Sequence, residues 1–323
     1  GEYVWNDYNA DGIPQINEFE VALYQDQARY IRVFTPTLDF IRANYNQFNY
    51  SLNLNPRALI DINKATGMRK FLTRVSLQSS MQIFKKEISQ KNINLNPFSK
   101  PAADTSLISL NSIITNTFFF NRTSSVWGFD LTHIRNVNRS ILTYGLETRT
   151  VRDLSSRFRW NMNKHFATVV TVKSISNQLE TPKFGNRNFS LEQWMTEPSL
   201  SYQNGTKYRI SLNYKFEEKQ NQQGLKEKAT IHSIITEMRY SVLSSSTING
   251  KFQFSNIRFS GATNTTVAFI MLDALLPGRN FLWNLDVTRR LSNNMEINFQ
   301  YEGRKPGEAK AIHTGRASVR ALF

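Results

Sequence analysis

Asp7, Asn9, Asp11, Ile13, Gln15 and Glu18 stand where a calcium loop needs its ligands. The stretch Asp7-Tyr-Asn9-Ala-Asp11-Gly12-Ile13-Pro-Gln15-Ile-Asn-Glu18 fits D-x-[DN]-x-[DN]-G-x5-E at every defined position. Calcium is a hard cation that takes oxygen. Asp7, Asn9 and Asp11 converge on it, Gly12 makes the sharp turn, and the Ile13 carbonyl and Gln15 add two ligands. Glu18 closes the sphere with both carboxylate oxygens. The competing reading is an acidic, glycine-containing surface turn. A paired sensor needs a long helix on each side, and here only Asn17 to Tyr30 reads as one short helix. The loop is therefore expected to stiffen a segment with bound Ca2+ rather than to switch.

Other chemistry is thin. The four histidines, His133, His165, His232 and His313, have no metal-ligand spacing, and His133 and His313 sit on apolar or small-residue faces. Asp130 and His133 lie on opposite faces of one strand and cannot orient each other. No G-x-S-x-G, H-E-x-x-H or phosphate-cradling glycine loop occurs. The reading is not an enzyme, with no catalytic residues. The formal charge of +15, from Lys+Arg 40 against Asp+Glu 25, calls for an anionic partner. Arg149, Arg152, Arg157, Arg159, Arg187, Lys215, Lys219, Lys226 and Lys228 would line an anion-preferring lumen or meet lipopolysaccharide phosphates. No recognition helix or RNA-stacking motif accompanies them, so no nucleic acid is expected.

These residues sit on a chain of alternating segments. Tyr208, Ile210, Leu212, Tyr214 and Phe216 alternate with Arg209, Ser211, Asn213, Lys215 and Glu217. Phe281, Trp283, Leu285 and Val287 alternate with Leu282, Asn284, Asp286 and Thr288. Met295, Ile297, Phe299 and Tyr301 do the same, as do Ala317, Val319, Ala321 and Phe323. Period two is the signature of strands with unlike faces. A soluble sandwich would point the apolar face inward, and a membrane barrel points it at lipid. Polar residues at mid-strand, aromatics near strand ends and long segments favour the barrel. Tyr45, Tyr50, Trp127, Trp194, Tyr202, Tyr240, Trp283 and Tyr301 are such aromatics. The mean hydropathy of −0.44 excludes a helical membrane protein but not a barrel. With no cysteine, neither a disulfide framework nor a thiolate site is possible.

The expected fold is all-β: a transmembrane antiparallel up-and-down β-barrel of about 14 strands, with 12 to 16 as the range. Residues 1–38 form an N-terminal segment with the EF-hand-like loop and a short helix, and residues 39–323 form the barrel. Tight turns are expected at Asn136–Arg139, Asn163-Lys164, Asn204-Gly205, Ser244-Ser245 and Ser292–Asn294. Thr265 to Arg279, apolar without period two, reads as part of a folded outer loop or as an irregular strand extension above the membrane. Ser89 to Leu110 is long yet falls on the inner rim of this count. The last strand, Ile312–Phe323, is expected to close against the first, near Phe40–Leu54. The chain opens on Gly1 in mid-motif, as a processed chain or the C-terminal piece of something longer would.

Asp26-Gln-Ala-Arg-Tyr-Ile-Arg-Val-Phe-Thr-Pro after the calcium loop, Leu276-Pro-Gly-Arg-Asn-Phe-Leu-Trp283, and His313-Thr-Gly-Arg-Ala-Ser-Val-Arg-Ala-Leu-Phe323 carry a resemblance. Together they resemble the C-terminal barrel region of large outer-membrane proteins of Bacteroidota-type Gram-negative bacteria. The resemblance implies an outer-membrane location, contact with its lipid and lipopolysaccharide, and a larger protein or envelope complex. It also implies recognition of Phe323 by the barrel-assembly machinery. The expected function is an anchor or an export and assembly component. The alternatives are a passive or substrate-specific anion-preferring pore, and a soluble calcium-dependent all-β binding module.

Overall fold

The computed structural model describes residues 1–33, 35, 40–61, 66–88, 96, 98, 106–142, 145–242, 245–292 and 295–321. A small sheet pairs β1 (Tyr3–Trp5) with β2 (Phe19–Val21). A second sheet holds thirteen strands in sequence order, each antiparallel to the next. They are β3 (Ala43–Leu54), β4 (Val75–Ile88), β5 (Leu107–Phe120), β6 (Trp127–Leu142), β7 (Gly145–Asn161), β8 (Phe166–Glu180) and β9 (Phe189–Asn204). There follow β10 (Tyr208–Asn221), β11 (Lys228–Val242), β12 (Ser246–Ser260), β13 (Gly278–Ser292), β14 (Met295–Lys305) and β15 (Ile312–Ala321). Two short helices, α1 (Gly67–Leu72) and α2 (Thr266–Met271), lie in connections.

The connections sort by rim. At one rim the strands join through 121–126, 162–165, 205–207, 243–245 and 293–294, with the longer 55–74 beside them. At the other they join through 89–106, 181–188, 222–227, 261–277 and 306–311, with 143–144 the short exception. β15 ends at the short-turn rim. The stretch 89–106 connects β4 to β5 in the chain, at the same end of the sheet as 181–188 and 222–227, and most of it lies outside the described residues.

Alternation decides which face points where. Leu212, Ile234 and Phe252 stand on the outer surface, 52%, 48% and 46% exposed. Asn213 and Ser233, next to the first two along the chain, and Ser255, of the opposite parity to Phe252, are buried on the inner face. The apolar face of the sheet thus points away from the enclosed side, the reverse of a soluble sandwich. Rings mark both ends of the apolar band. At the short-turn rim, Phe120, Trp127 and Phe158 adjoin, and Phe166, Tyr202, Tyr208 and Tyr240 form a second row. Towards the long-loop rim, Tyr214, His232 and Phe216 cluster, and Tyr301, His313 and Trp283 repeat the arrangement. From Tyr208 to Phe216 a strand tilted by about 40° rises about 20 Å, close to the apolar band of an outer-membrane barrel.

The enclosed side is mainly polar, and its buried apolar cluster lies under the long-loop rim. There Leu179, Phe189, Leu191, Ala229, Ile231 and Ile257 point inward and pack on Val267, Met271, Leu272 and Leu275. The stretch Thr265 to Arg279 is thus a folded loop, as its pattern suggests, and α2 plugs inward. Thr265 caps it by accepting the Ala268 N–H at 3.0 Å.

Two expectations are corrected, and a third, the closing pair, is not found among the described residues. Asn136–Arg139 is mid-β6, paired along its length with β7: Asn136 and Asn138 share the inner face while Val137 and Arg139 take the outer one, as strand residues do. Asn17 to Tyr30 is not a helix. Phe19–Val21 pairs with Tyr3–Trp5 instead, Phe19 meets the Tyr30 ring edge-on at 5.2 Å, and Tyr30 bridges Tyr3. Among the described residues no ladder joins β15 to β3. With thirteen strands the two run in the same direction, so closing them on each other would make a parallel seam in an otherwise antiparallel sheet.

Candidate functional site

The candidate site is the N-terminal segment seated in the long-loop mouth, with the calcium-loop residues at its tip. Two ion pairs tie it down. The Arg187 guanidinium lies 3.2 Å from the Glu20 carboxylate, both buried, joining β2 to the connection between β8 and β9. Arg304 of β14 donates to both Asp26 oxygens, one at 3.0 Å from Nε, and covers the Tyr24 ring at 4.7 Å. The Tyr24 hydroxyl donates to the Asp273 carbonyl at 3.2 Å, and Lys219 reaches the Asp273 carboxylate at 3.0 Å. Arg316 of β15 donates to Gln25 at 3.1 Å. A segment that touches the connection before β9 and also β14 and β15 is one round which the sheet curls.

Burial sets the electrostatics. Desolvation holds the Glu20 carboxyl above its ordinary range, and the facing Arg187 only partly offsets it. Tyr8, whose hydroxyl lies 3.5 Å from Glu20, is pushed up by burial and then by that carboxylate. Tyr24 is pushed up to about 12 by burial, with Asp273 adding to it.

The loop itself brings four of its six sequence-predicted ligands together. Asp7 accepts the N–H groups of Asp11 at 3.2 Å and Gly12 at 2.8 Å. The Asn9 oxygen accepts the Asp11 N–H at 3.1 Å, and Asp11 accepts from the Asn9 and Gln15 amides at 2.8 and 2.7 Å. Gly12 adopts φ 72°, the left-handed turn the pattern requires. Ile13 is exposed and donates its N–H to Asp11 at 2.7 Å. Glu18 is 1% exposed, and its carboxylate is already engaged: it accepts the Trp5 indole N–H at 2.8 Å and the Gln15 backbone N–H at 3.2 Å. Among the described residues no three Asp, Glu or His side chains group as a ready metal cage. The donor set suits a hard cation in type and spacing, and Glu18 is the one ligand engaged elsewhere. Asn264, from the connection before α2, donates to the Asp7 carbonyl at 2.9 Å and anchors the loop to the rim.

Below the segment the enclosed side carries mixed charge. A cavity of about 620 Å³ is lined by Asp130, Arg157, Lys173, Glu197, Arg209 and Asn213. Of the basic residues singled out above, Arg149, Arg157, Arg187, Lys215 and Lys219 line cavities on the inner side of the sheet. Arg152 and Lys228 share the outward face of Leu154 and Ile234. Sequence reasoning missed Glu20, Tyr24, Asp26 and Arg304. Their partners lie far along the chain, and a charge in a segment without period two shows no face.

No family model matches the chain, and no curated protein does. Two solved structures are similar at low level. One, described as the NanC porin structure in a rhombohedral crystal form, is 9% identical with a TM-score of 0.35, over 67% of this chain and 94% of that one. The other, in-vitro folded OmpT, an outer membrane protein of Vibrio cholerae, is 8% identical with a TM-score of 0.35, over 86% and 94%.

Proposed function

We propose that the chain is an outer-membrane β-barrel of a Gram-negative bacterium whose bore is stoppered by its own N-terminal segment. It then works as the membrane-embedded anchor, or an export and assembly component, of a larger surface or periplasmic protein. The observation that carries this is the outward apolar band between two rows of rings, combined with an N-terminal segment tied to the long-loop rim by Glu20–Arg187 and Asp26–Arg304. In this reading the short-turn rim is periplasmic and the long-loop rim faces outside. The Phe323 contact with the barrel-assembly machinery belongs to the same reading, though Phe323 lies outside the described residues.

Calcium would be held by Asp7, Asn9, Asp11, the Ile13 carbonyl, Gln15 and Glu18, and would supply a fixed charge that rigidifies the segment. Planar-bilayer conductance tests the stopper. The wild-type protein should pass little current, and Asp26→Ala with Glu20→Ala should raise it several-fold. A wild-type protein with a steady anion-selective current would favour the second reading, a pore. What supports that alternative is the basic share of the bore: Arg157, Lys173 and Arg209.

A further inference from the structure

We infer a binding site for the phosphate groups of an outer-leaflet glycolipid on the outer surface of β11 to β14. It rests on the membrane orientation just proposed. Lys228, Arg258, Arg279 and Lys305 are exposed and share the outward parity of Ile234, Phe252, Phe281 and Phe299. The register places them on a diagonal. Arg258 pairs with Thr230, two residues from Lys228. Arg279 pairs with Asn256, two residues from Arg258. Lys305 pairs with Phe281, two residues from Arg279. Such diagonal neighbours lie about 7–8 Å apart, a span that a phosphate between two cations bridges.

Four like charges so placed repel one another unless an anion joins them. Among the described residues none of the four makes an ion pair or side-chain hydrogen bond. The outward positions of β11 to β15 hold no Asp or Glu, because Glu237, Asp286, Glu296 and Glu302 all have the opposite parity. The nearest outward carboxylate is Glu218 of β10, diagonal to Lys228 at the end of the row.

The position selects the ligand. Directly below the row lie His232, Phe254, Phe281 and Tyr301, then the apolar band. A ligand with phosphates at the level of the cations and acyl chains along Phe252 and Leu285 fills both. A soluble anion uses only the first.

The test is retention of a bis-phosphorylated lipid A by detergent-solubilised protein, comparing wild type with a variant in which Lys228, Arg258, Arg279 and Lys305 are all Gln. Heat-modifiable gel migration shows that each protein is a folded barrel. The expected result is at least about tenfold weaker retention by the variant, no change for Arg157→Gln with Arg209→Gln inside the bore, and release by salt. Equal retention by wild type and the fourfold variant, with both heat-modifiable, overturns the site and leaves the barrel standing. Full competition by inorganic phosphate overturns the lipid assignment. Absence of heat-modifiable migration in the wild type overturns the orientation beneath it.

Discussion

At the scale of single residues, Glu18 and Glu20 carry the segment's chemistry, and only the first was legible. The loop's spacing marked Glu18 as an expected ligand but said nothing of its bond to Trp5, because Trp5 is outside the motif. That bond supplies a readout. Calcium drawing Glu18 into its sphere should remove the indole hydrogen bond and shift Trp5 emission, with chelator reversing the change. A Trp5→Phe protein shows which part of the signal is local. No shift on adding calcium would count against Glu18 as a ligand. Glu20 answers to pH. Its carboxyl is held above the ordinary value of about 4.3, so its contribution favours the docked segment below that value and fades as pH rises through the raised one. Hydrogen exchange at Phe19–Val21, corrected for intrinsic rates, should be more protected at pH 5 than at pH 8, and Glu20→Gln should flatten the difference. Arg187→Ala leaves a buried charge without its facing cation and should cost about 3–5 kcal/mol of docking.

At the scale of elements, the strands were legible because a two-residue period needs only neighbouring residues. Tyr208 to Glu217 announces both the strand and its unlike faces. The inner apolar patch was not legible. Leu191, Ile231 and Ile257 point inward at positions where the barrel pattern wants polar groups, because α2 and the N-terminal segment cover them. That cover comes from residues far away in sequence. Phe189 is fully buried in this patch, so Phe189→Ala should cost about 3–5 kcal/mol, read from the temperature at which gel migration becomes heat-insensitive. The two faces should respond oppositely to charge. Leu212→Arg, near mid-band on the outer face, should cost about 2–4 kcal/mol, while its inward neighbour Asn213→Arg should be nearly neutral. Gly303 has an equally local reason: the Trp283 ring lies across it, 2.2 Å from where a Cβ would stand. A side chain there would push Trp283 out of its row.

At the scale of the molecule, outward apolar faces, two rows of rings and an N-terminal segment tied across the long-loop rim make one arrangement, and the proposed reading of it is a barrel whose solvent is the bilayer. Parity by itself names two faces and not their direction; in the sequence the mid-strand polar residues, the strand-end aromatics and the segment length were what turned the apolar face outward. The strand count was legible to within one, and the error lay at Asn136–Arg139, where asparagines mimic a turn. The parallel relation of β3 to β15 follows from that count and was invisible beforehand. The direction of the faces is therefore the claim to test. Single-tryptophan proteins retaining Trp283 or Trp5 are reconstituted in bilayers whose acyl chains carry bromine. Trp283 should be strongly quenched by the brominated chains and little by aqueous acrylamide, with Trp5 showing the reverse. Trp283 quenched by acrylamide and untouched by the brominated chains would contradict the account.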